Sequence, residues 1–250
     1  MDKQSIQQIE QASRAAWRAL EEQEIANWIL RFAKGYTKRA NSVNIFDDSN
    51  ANIEQTIDAC EKAYTARGLP PTFRITPLAP PELDHALARR DYQQIEPSRV
   101  LVLNLENRLT QPTTNARNLD LDAWIRAYCH LTQSSIEKHQ THREILRANP
   151  APKFLTAIEN AGQPVACGLG VLTDNYFGIF DVVTDAQQRN QGHGRALMMS
   201  LLNWAHDRGA TRAYLQVTSA NAPARHLYAK IGFADAYEYW YRILAPEGAR

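Results

Sequence analysis

The clearest alternation of apolar and polar positions lies in the second half of the chain, where it predicts strand, turn, helix, strand and helix in that order. Gly178-Ile-Phe-Asp-Val-Val-Thr184 is rich in β-branched and aromatic residues and reads as a strand. Leu197, Leu201, Trp204 and Ala205 then recur at helical spacing, His206 and Arg208 suit a last turn, and Gly209 supplies a stop. Ala213 to Val217 alternates as the next strand. Asn221, followed by Ala222 and Pro223, is a good N-cap for a helix through Ala224 to Ile231 that ends at Gly232-Phe233. Tyr237 to Leu244 closes the pattern.

The first half is read from weaker signals. Ile6, Ile9, Ala16, Trp17 and Leu20 suit an amphipathic helix, and Trp28, Leu30 and Phe32 alternate as in a strand. The polar run Gly35 to Val43 follows; its Tyr36, Lys38, Arg39, Asn41 and Ser42 suit either an anion-binding loop or a solvated turn, with the turn preferred. Ile53 to Arg67 is a second helix closed by Gly68 and Pro70, Phe73 to Thr76 a short strand broken by the Pro77 to Pro81 cluster, and Leu83 to Arg90 a third helix. Val100 to Leu105 is a strong strand. The segment from Leu105 to Asp120 has few apolar residues and reads as a linker, which places a boundary near residue 118.

The two halves echo one another. Leu87-Ala-Arg-Arg-Asp-Tyr92 followed by Val100 to Leu105 matches, in order and type, Tyr228-Ala-Lys-Ile-Gly-Phe233 followed by Tyr237 to Leu244. Leu87 stands where Tyr228 stands.

Candidate chemistry concentrates in Arg189-Asn190-Gln191-Gly192-His193-Gly194, between the predicted strand and the predicted helix. A glycine-rich turn at a helix N-terminus offers unpaired backbone N–H groups and the positive end of the helix dipole to an anion. A dinucleotide fingerprint needs a third glycine where this chain has Leu197, and a nucleoside-triphosphate loop needs Gly-Lys-Ser/Thr, which does not occur. What remains is Arg-x-x-Gly-x-Gly, followed by the run Asn221, Ala224, Tyr228, Gly232 and Phe233. Together, over roughly residues 120–245, these motifs resemble the GNAT superfamily of acyl-CoA-dependent N-acyltransferases.

The resemblance implies an α/β (α+β) fold with a mixed, mostly antiparallel sheet flanked by helices. It implies a catalytic GNAT domain over residues 119–250 and, from the internal echo, a degenerate GNAT-like domain over residues 1–118 without its own cofactor site. Acetyl-CoA is the expected co-substrate. Its diphosphate would lie on Arg189, Asn190, Gln191, Gly192, His193 and Gly194, with Arg195 screening charge, and its pantetheine arm along Val182, Val183 and Thr184 between two splayed strands. Asn221 and Tyr228, seven apart, share a helix face. Against a thiol pKa near ~8.5, the Tyr228 hydroxyl is expected to donate to the departing sulfur. The N–H of Val182 is expected to meet the oxyanion. Asp181 is the candidate base for the amine, with the reservation that its side chain shares the Val183 face of an alternating strand.

Composition narrows the partners. The 250 residues carry 28 basic and 27 acidic side chains, for a net charge of +1, so no global field favours nucleic acid or an anionic membrane. Cys60, Cys129 and Cys167 are odd in number and widely spaced, which argues for a reducing compartment; no signal peptide or membrane span is read, so a cytoplasmic protein is expected. No metal site is expected: His139-Gln-Thr-His142 lacks companions and reads as an exposed helix face, while Cys167 reads as core and His193 as an exposed loop residue. The expected acceptor is a primary amine on a small, amino-acid-like molecule. The rivals are a protein N-terminus or lysine as acceptor, or a non-catalytic acyl-CoA-binding module. No motif fixes an oligomeric state.

Overall fold

A computed structural model describes residues 1–47, 52–106 and 116–244. In chain order it comprises α1 (Lys3–Ala16), β1 (Glu21–Ile25), β2 (Trp28–Phe32), β3 (Val43–Ile45), α2 (Ile53–Thr65), β4 (Thr72–Ile75), α3 (Pro81–Arg89), β5 (Gln93–Asn104) and β6 (Ala116–Asn118). There follow α4 (Leu121–Thr132), α5 (Gln140–Ala148), β7 (Lys153–Asn160), β8 (Gln163–Thr173), β9 (Tyr176–Thr184), α6 (His193–His206), β10 (Arg212–Thr218), α7 (Ala222–Ile231) and β11 (Ala234–Ile243). Pairing is mostly antiparallel; β3 with β4 and β9 with β10 are parallel. The expected mixed, mostly antiparallel architecture with flanking helices is therefore what the chain forms. Among the described residues no helix is long and apolar enough to cross a membrane.

Contacts divide the chain into two compact units, one of residues 1–100, 218–220 and 236–250, the other of residues 101–217 and 221–235. Neither is a continuous half. The first takes most of β11 from the far end of the chain, and the second begins inside β5. Residues 107–115 of the expected linker lie outside the described residues, while residues 116–118 form β6 and pair with β7.

In the first unit the strand order is β1-β2-β3-β4-β11, with β5 beside β11. Every residue of β2 is buried, so its simple alternation conceals Arg31 at 2% exposure. That guanidinium donates to the carbonyls of Trp17 and, at 2.7 Å, Arg39, and lies 3.2 Å from Glu22. Leu30, Val43, Ile57, Phe73, Leu83 and Leu87 belong to the apolar core of this unit. A second buried charge is neutralised nearby: Arg74 donates to Glu10 at 2.7 and 3.0 Å, Tyr237 donates to Glu10 at 2.6 Å, and the Tyr239 ring lies 3.5 Å under the guanidinium. Burial is the largest single effect and would raise the Glu10 pKa, but the Arg74 charge, the hydrogen bonds from Arg74 and Tyr237 and the Arg31 charge together outweigh it and hold the carboxyl below its usual range. The Gly35 to Val43 run is not a solvated turn. Asn41 is buried and accepts from Ala33 N–H at 2.7 Å and Gly35 N–H at 2.9 Å while donating to the Thr37 carbonyl at 2.7 Å, so its polarity closes the loop internally.

The internal echo has a geometric counterpart. Tyr92 N–H donates to the Leu87 carbonyl at 3.1 Å, and Phe233 N–H donates to the Tyr228 carbonyl at 3.0 Å. The residue before each donor is left-handed, Asp91 at φ 63° and Gly232 at φ 108°. These are the same helix-ending turn.

In the second unit the order is β6-β7-β8-β9-β10, with β5 beside β10. The buried face of α6, including Leu197, Leu201, Leu202 and Ala205, joins Phe154, Phe177 and Ile179 in one core. Trp204 stacks on Phe154 with ring centroids 5.4 Å apart and planes 6° from parallel.

Substituting Glu10→Ala strands Arg74 as a buried, unpaired charge. This is expected to cost about 3–5 kcal/mol, read as a lower urea midpoint; a loss under about 1 kcal/mol would show that water reaches the site. Because the folded carboxyl titrates below its unfolded value, the wild-type contribution is present above the unfolded pKa and is lost as pH falls through the folded one.

Candidate functional site

Pairing between β9 and β10 runs from Tyr176↔Arg212 to Ile179↔Leu215 and then stops, although β9 continues to Thr184 and β10 to Thr218. The cause lies on the other edge of β9. Its register with β8 passes from Phe180↔Leu169 to Val183↔Cys167, so Asp181 and Val182 together oppose the single residue Gly168. This is a β-bulge, and Asp181 adopts φ 51° within it. The Trp124 indole N–H donates to the Gly168 carbonyl at 3.0 Å, and a Cβ at Gly168 would lie 3.2 Å from Leu197 Cδ2. Packing thus holds the bulge in place.

Beyond β9, Asp185 accepts from Gln187 N–H at 2.9 Å and closes a short 3-10 turn, after which the chain enters the glycine-rich segment. Asn190 and Gly192 have φ 62° and 86°, and α6 begins at His193. Gly192 is the N-cap and brings no capping side chain, so the first-turn N–H groups of this 14-residue helix have no side-chain acceptor there. At Gly194 an added Cβ would lie 3.2 Å from Leu227 Cδ2 and 3.3 Å from Thr184 Oγ1. Glycine lets the helix start approach both walls.

A cavity of about 600 Å³ opens where the strands part. Val182, Val183 and Thr184 form one wall; Arg189, Asn190, Gly192, His193, Gly194 and Arg195 line the helix start; Asn221 and Tyr228 face them from α7. Gln191 is exposed and outside this lining. Gln188, Pro223, Ala224, His226, Leu227 and Lys230 also line it and were missed in the sequence reading. On α7, Pro223, His226 and Lys230 fall on the helix face opposite Asn221 and Tyr228, with Ala224 and Leu227 flanking the Asn221–Tyr228 stripe, so helical spacing from those two residues did not reveal them. His193 is half-buried with its Nε2 sealed, so it is not the exposed loop residue expected.

Asn221 accepts from Ala224 N–H at 3.2 Å and so caps α7. Tyr228, 7% exposed, packs edge-on against Phe233 with centroids 6.1 Å apart, and its hydroxyl has no protein hydrogen-bond partner among the described residues. Burial raises its pKa to about 12, so it stays protonated at neutral pH and can donate.

Asp181 does not line this cavity. Its side chain lies on the face expected, the one where Val183 packs against Cys167 and Tyr128, and Asp181 Oδ2 is 3.1 Å from His142 Nε2 with no hydrogen bond between them. His142 has no exposed side-chain surface and His139 is 7% exposed, which overturns the reading of these histidines as a solvated helix face. Both rings turn inward, where Trp124 and Tyr128 each meet the His142 ring edge-on at 5.6 Å. Burial, and secondarily the neighbouring His142, lowers the His139 pKa. Cys167 is fully buried, and burial pushes its thiol up well above the usual range, as suits a core residue. No group of three or more metal-ligating side chains occurs among the described residues.

Comparison with known proteins places this geometry in a family. Residues 4–242 match the model described as probable histone acetyltransferase Rv0428c C-terminal. The chain is 31% identical over 244 residues to the uncharacterized N-acetyltransferase YobR of Bacillus subtilis, covering 95% of this chain and 98% of that one. Among solved structures, a GCN5-related N-acetyltransferase from Kribbella flavida superposes with a TM-score of 0.72 at 15% identity, covering 97% of this chain and 96% of that one. A tandem GNAT protein from the clavulanic acid biosynthesis pathway gives 0.64 at 12%, covering 82% and 74%. At these identities the two structures attest the fold.

Gly192→Ala forces a Cβ into a left-handed position at a cost of about 1–2 kcal/mol. If the helix start binds coenzyme A, releasing that strain should weaken its affinity roughly 5- to 30-fold by calorimetry. Unchanged affinity with an intact fold would remove residues 189–194 from the binding site.

Proposed function

The chain belongs to the GNAT superfamily of acyl-CoA-dependent N-acyltransferases, and on that premise we propose that it transfers the acetyl group of acetyl-CoA to a primary amine of a small, amino-acid-like acceptor by direct attack. The observation that carries the proposal is the unbonded Tyr228 hydroxyl in a cavity whose far end is an uncapped helix start. In this reading the diphosphate of acetyl-CoA takes the first-turn N–H groups of α6, with Arg189 and Arg195 adding charge. The pantetheine arm follows Val182 to Thr184, where β9 has lost its parallel partner and its backbone groups are available for pairing.

The amine gives up a proton to Asp181 and attacks the thioester carbon. The oxyanion is met by the Val182 N–H in the bulge. As the C–S bond breaks, the sulfur takes its electron pair and Tyr228 donates a hydrogen bond to it; the phenol's high pKa makes it a stabiliser of the thiolate more than a complete proton donor. The enclosure of Asp181, whose side chain is 18% exposed, supports a slender acceptor. A protein amine is the second reading, favoured by the histone acetyltransferase description of the matching family model. We assign residues 1–118 to the degenerate acyltransferase-like half and residues 119–250 to the catalytic half, a division supported by the repeated helix-ending turn.

Release of free thiol from acetyl-CoA, measured against a panel of amino acids, polyamines and basic peptides, tests both acceptor classes. Small amines should turn over, and turnover confined to peptides would overturn the small-acceptor reading. Tyr228→Phe should lower kcat roughly a hundredfold or more while leaving acetyl-CoA affinity within about twofold. Equal losses in both would contradict the assigned role.

A further inference from the structure

The cavity beside β9 holds more positive charge than a diphosphate needs. Arg189, His193, Arg195, His226 and Lys230 all line it, and no carboxylate of the described residues does. Among the described residues none of these five side chains makes a hydrogen bond or an ion pair within the protein, and His193 Nε2 is sealed from solvent without a partner. Arg74, Arg90 and Arg242 are by contrast each matched by a carboxylate. The whole chain carries a net charge of only +1, so unneutralised cations gathered in one cavity are a local concentration and mark a polyanion site.

These residues fall into two groups. Arg189, His193 and Arg195 lie along the chain at the start of α6, beside its first-turn N–H groups. His226 and Lys230 come from α7, four residues apart and therefore on one face, while the same helix turns Tyr228 to the opposite side. Leu227, next to His226, packs against the start of α6: a Cβ added at Gly194 would lie 3.2 Å from its Cδ2. That contact brings this part of α7 to the helix start. His226 and Lys230 are exposed at the cavity's mouth, whereas Tyr228 is buried within it.

We propose that His226 and Lys230 hold the 3′-phosphate of coenzyme A, so that the protein selects the complete cofactor over 3′-dephospho-coenzyme A; this rests on the reading of the cavity as the acetyl-CoA site. The diphosphate carries about two negative charges, and Arg189, Arg195 and the roughly half charge of the helix start answer them. A phosphate monoester adds about −1.5 to −2 near neutral pH. The groups left to meet it are those on α7. Covalent structure sets its place: the 3′-phosphate is carried by the same ribose whose 5′-oxygen bears the diphosphate, so it falls beside the helix start and away from the thioester. Lys230 offers a point charge with several N–H donors, and His226 a ring N–H. Lys230 in the last turn of α7 also complements the helix dipole, but that use is indifferent to the ligand's phosphate.

Calorimetric titration of the full chain with coenzyme A and with 3′-dephospho-coenzyme A decides the matter, and it needs no acceptor. The wild type should bind coenzyme A about 10- to 100-fold more tightly than the dephospho form. Lys230→Met should weaken coenzyme A roughly 5- to 30-fold while leaving the dephospho form within about twofold. Lys230→Arg, which keeps the charge, should retain most of the preference. Equal affinity of the wild type for the two ligands, or equal losses for both in Lys230→Met, would overturn the proposal and leave the acetyl-CoA reading standing. Binding of neither ligand by the wild type would overturn both.

Discussion

The parting of two parallel strands is the constraint from which the rest of the site follows. Strand pairing satisfies backbone donors and acceptors, so ending it within a sheet leaves groups that need another partner. Here β9 separates from β10 after Ile179 because its opposite edge holds an extra residue against β8. Trp124 satisfies the Gly168 carbonyl facing the bulge, and the absence of a side chain at Gly168 lets α6 pack close against it. The free segment of β9 then faces an open volume that ends at a helix start without a side-chain cap. One distortion therefore leaves an open strand edge, an uncapped helix start and the Tyr228 hydroxyl around the same cavity.

The same bulge holds Asp181 at φ 51° beside α5. Asp181 shares the Val183 face, toward Cys167 and Tyr128, and there it meets His142 on α5. Neighbouring residues of one strand thus reach two places, Val182 to Thr184 lining the cavity and Asp181 meeting α5. Membership of an acyl-CoA-dependent N-acyltransferase family agrees with such an arrangement, in which an extended thioester must meet an amine at a strand.

The first unit repeats part of this strand-helix-strand arrangement. It repeats the parallel pair, β3 with β4 around α2, and the helix-ending turn at Leu87 to Tyr92. Yet Leu87 is fully buried where its counterpart Tyr228 presents a hydroxyl to a cavity, and its polar residues are taken up by internal contacts. Arg31 is surrounded by carbonyls and Glu22, Arg74 by Glu10 and Tyr239, and Asn41 by its own loop. Its buried charges serve architecture.

What was legible in the sequence was whatever depends on local backbone preference. Left-handed turns were marked by Gly192, Gly209 and Gly232, the α7 cap by Asn221, and the α6 face by its leucines. Features set by tertiary packing were hidden. β2 is buried on both faces, which erases alternation as a guide to Arg31. The bulge at Asp181 carries no glycine on β9 to announce its positive φ. His139 and His142 looked solvent-facing because nothing in a short polar helix tells that aromatic rings on α4 will enclose them.

The most direct test of the central claim is amide hydrogen exchange at His193, Gly194 and Arg195 with and without coenzyme A. Slowed exchange at these first-turn N–H groups of α6, together with Val182 to Thr184, is the predicted result. Tight binding that leaves both segments unchanged would contradict the account.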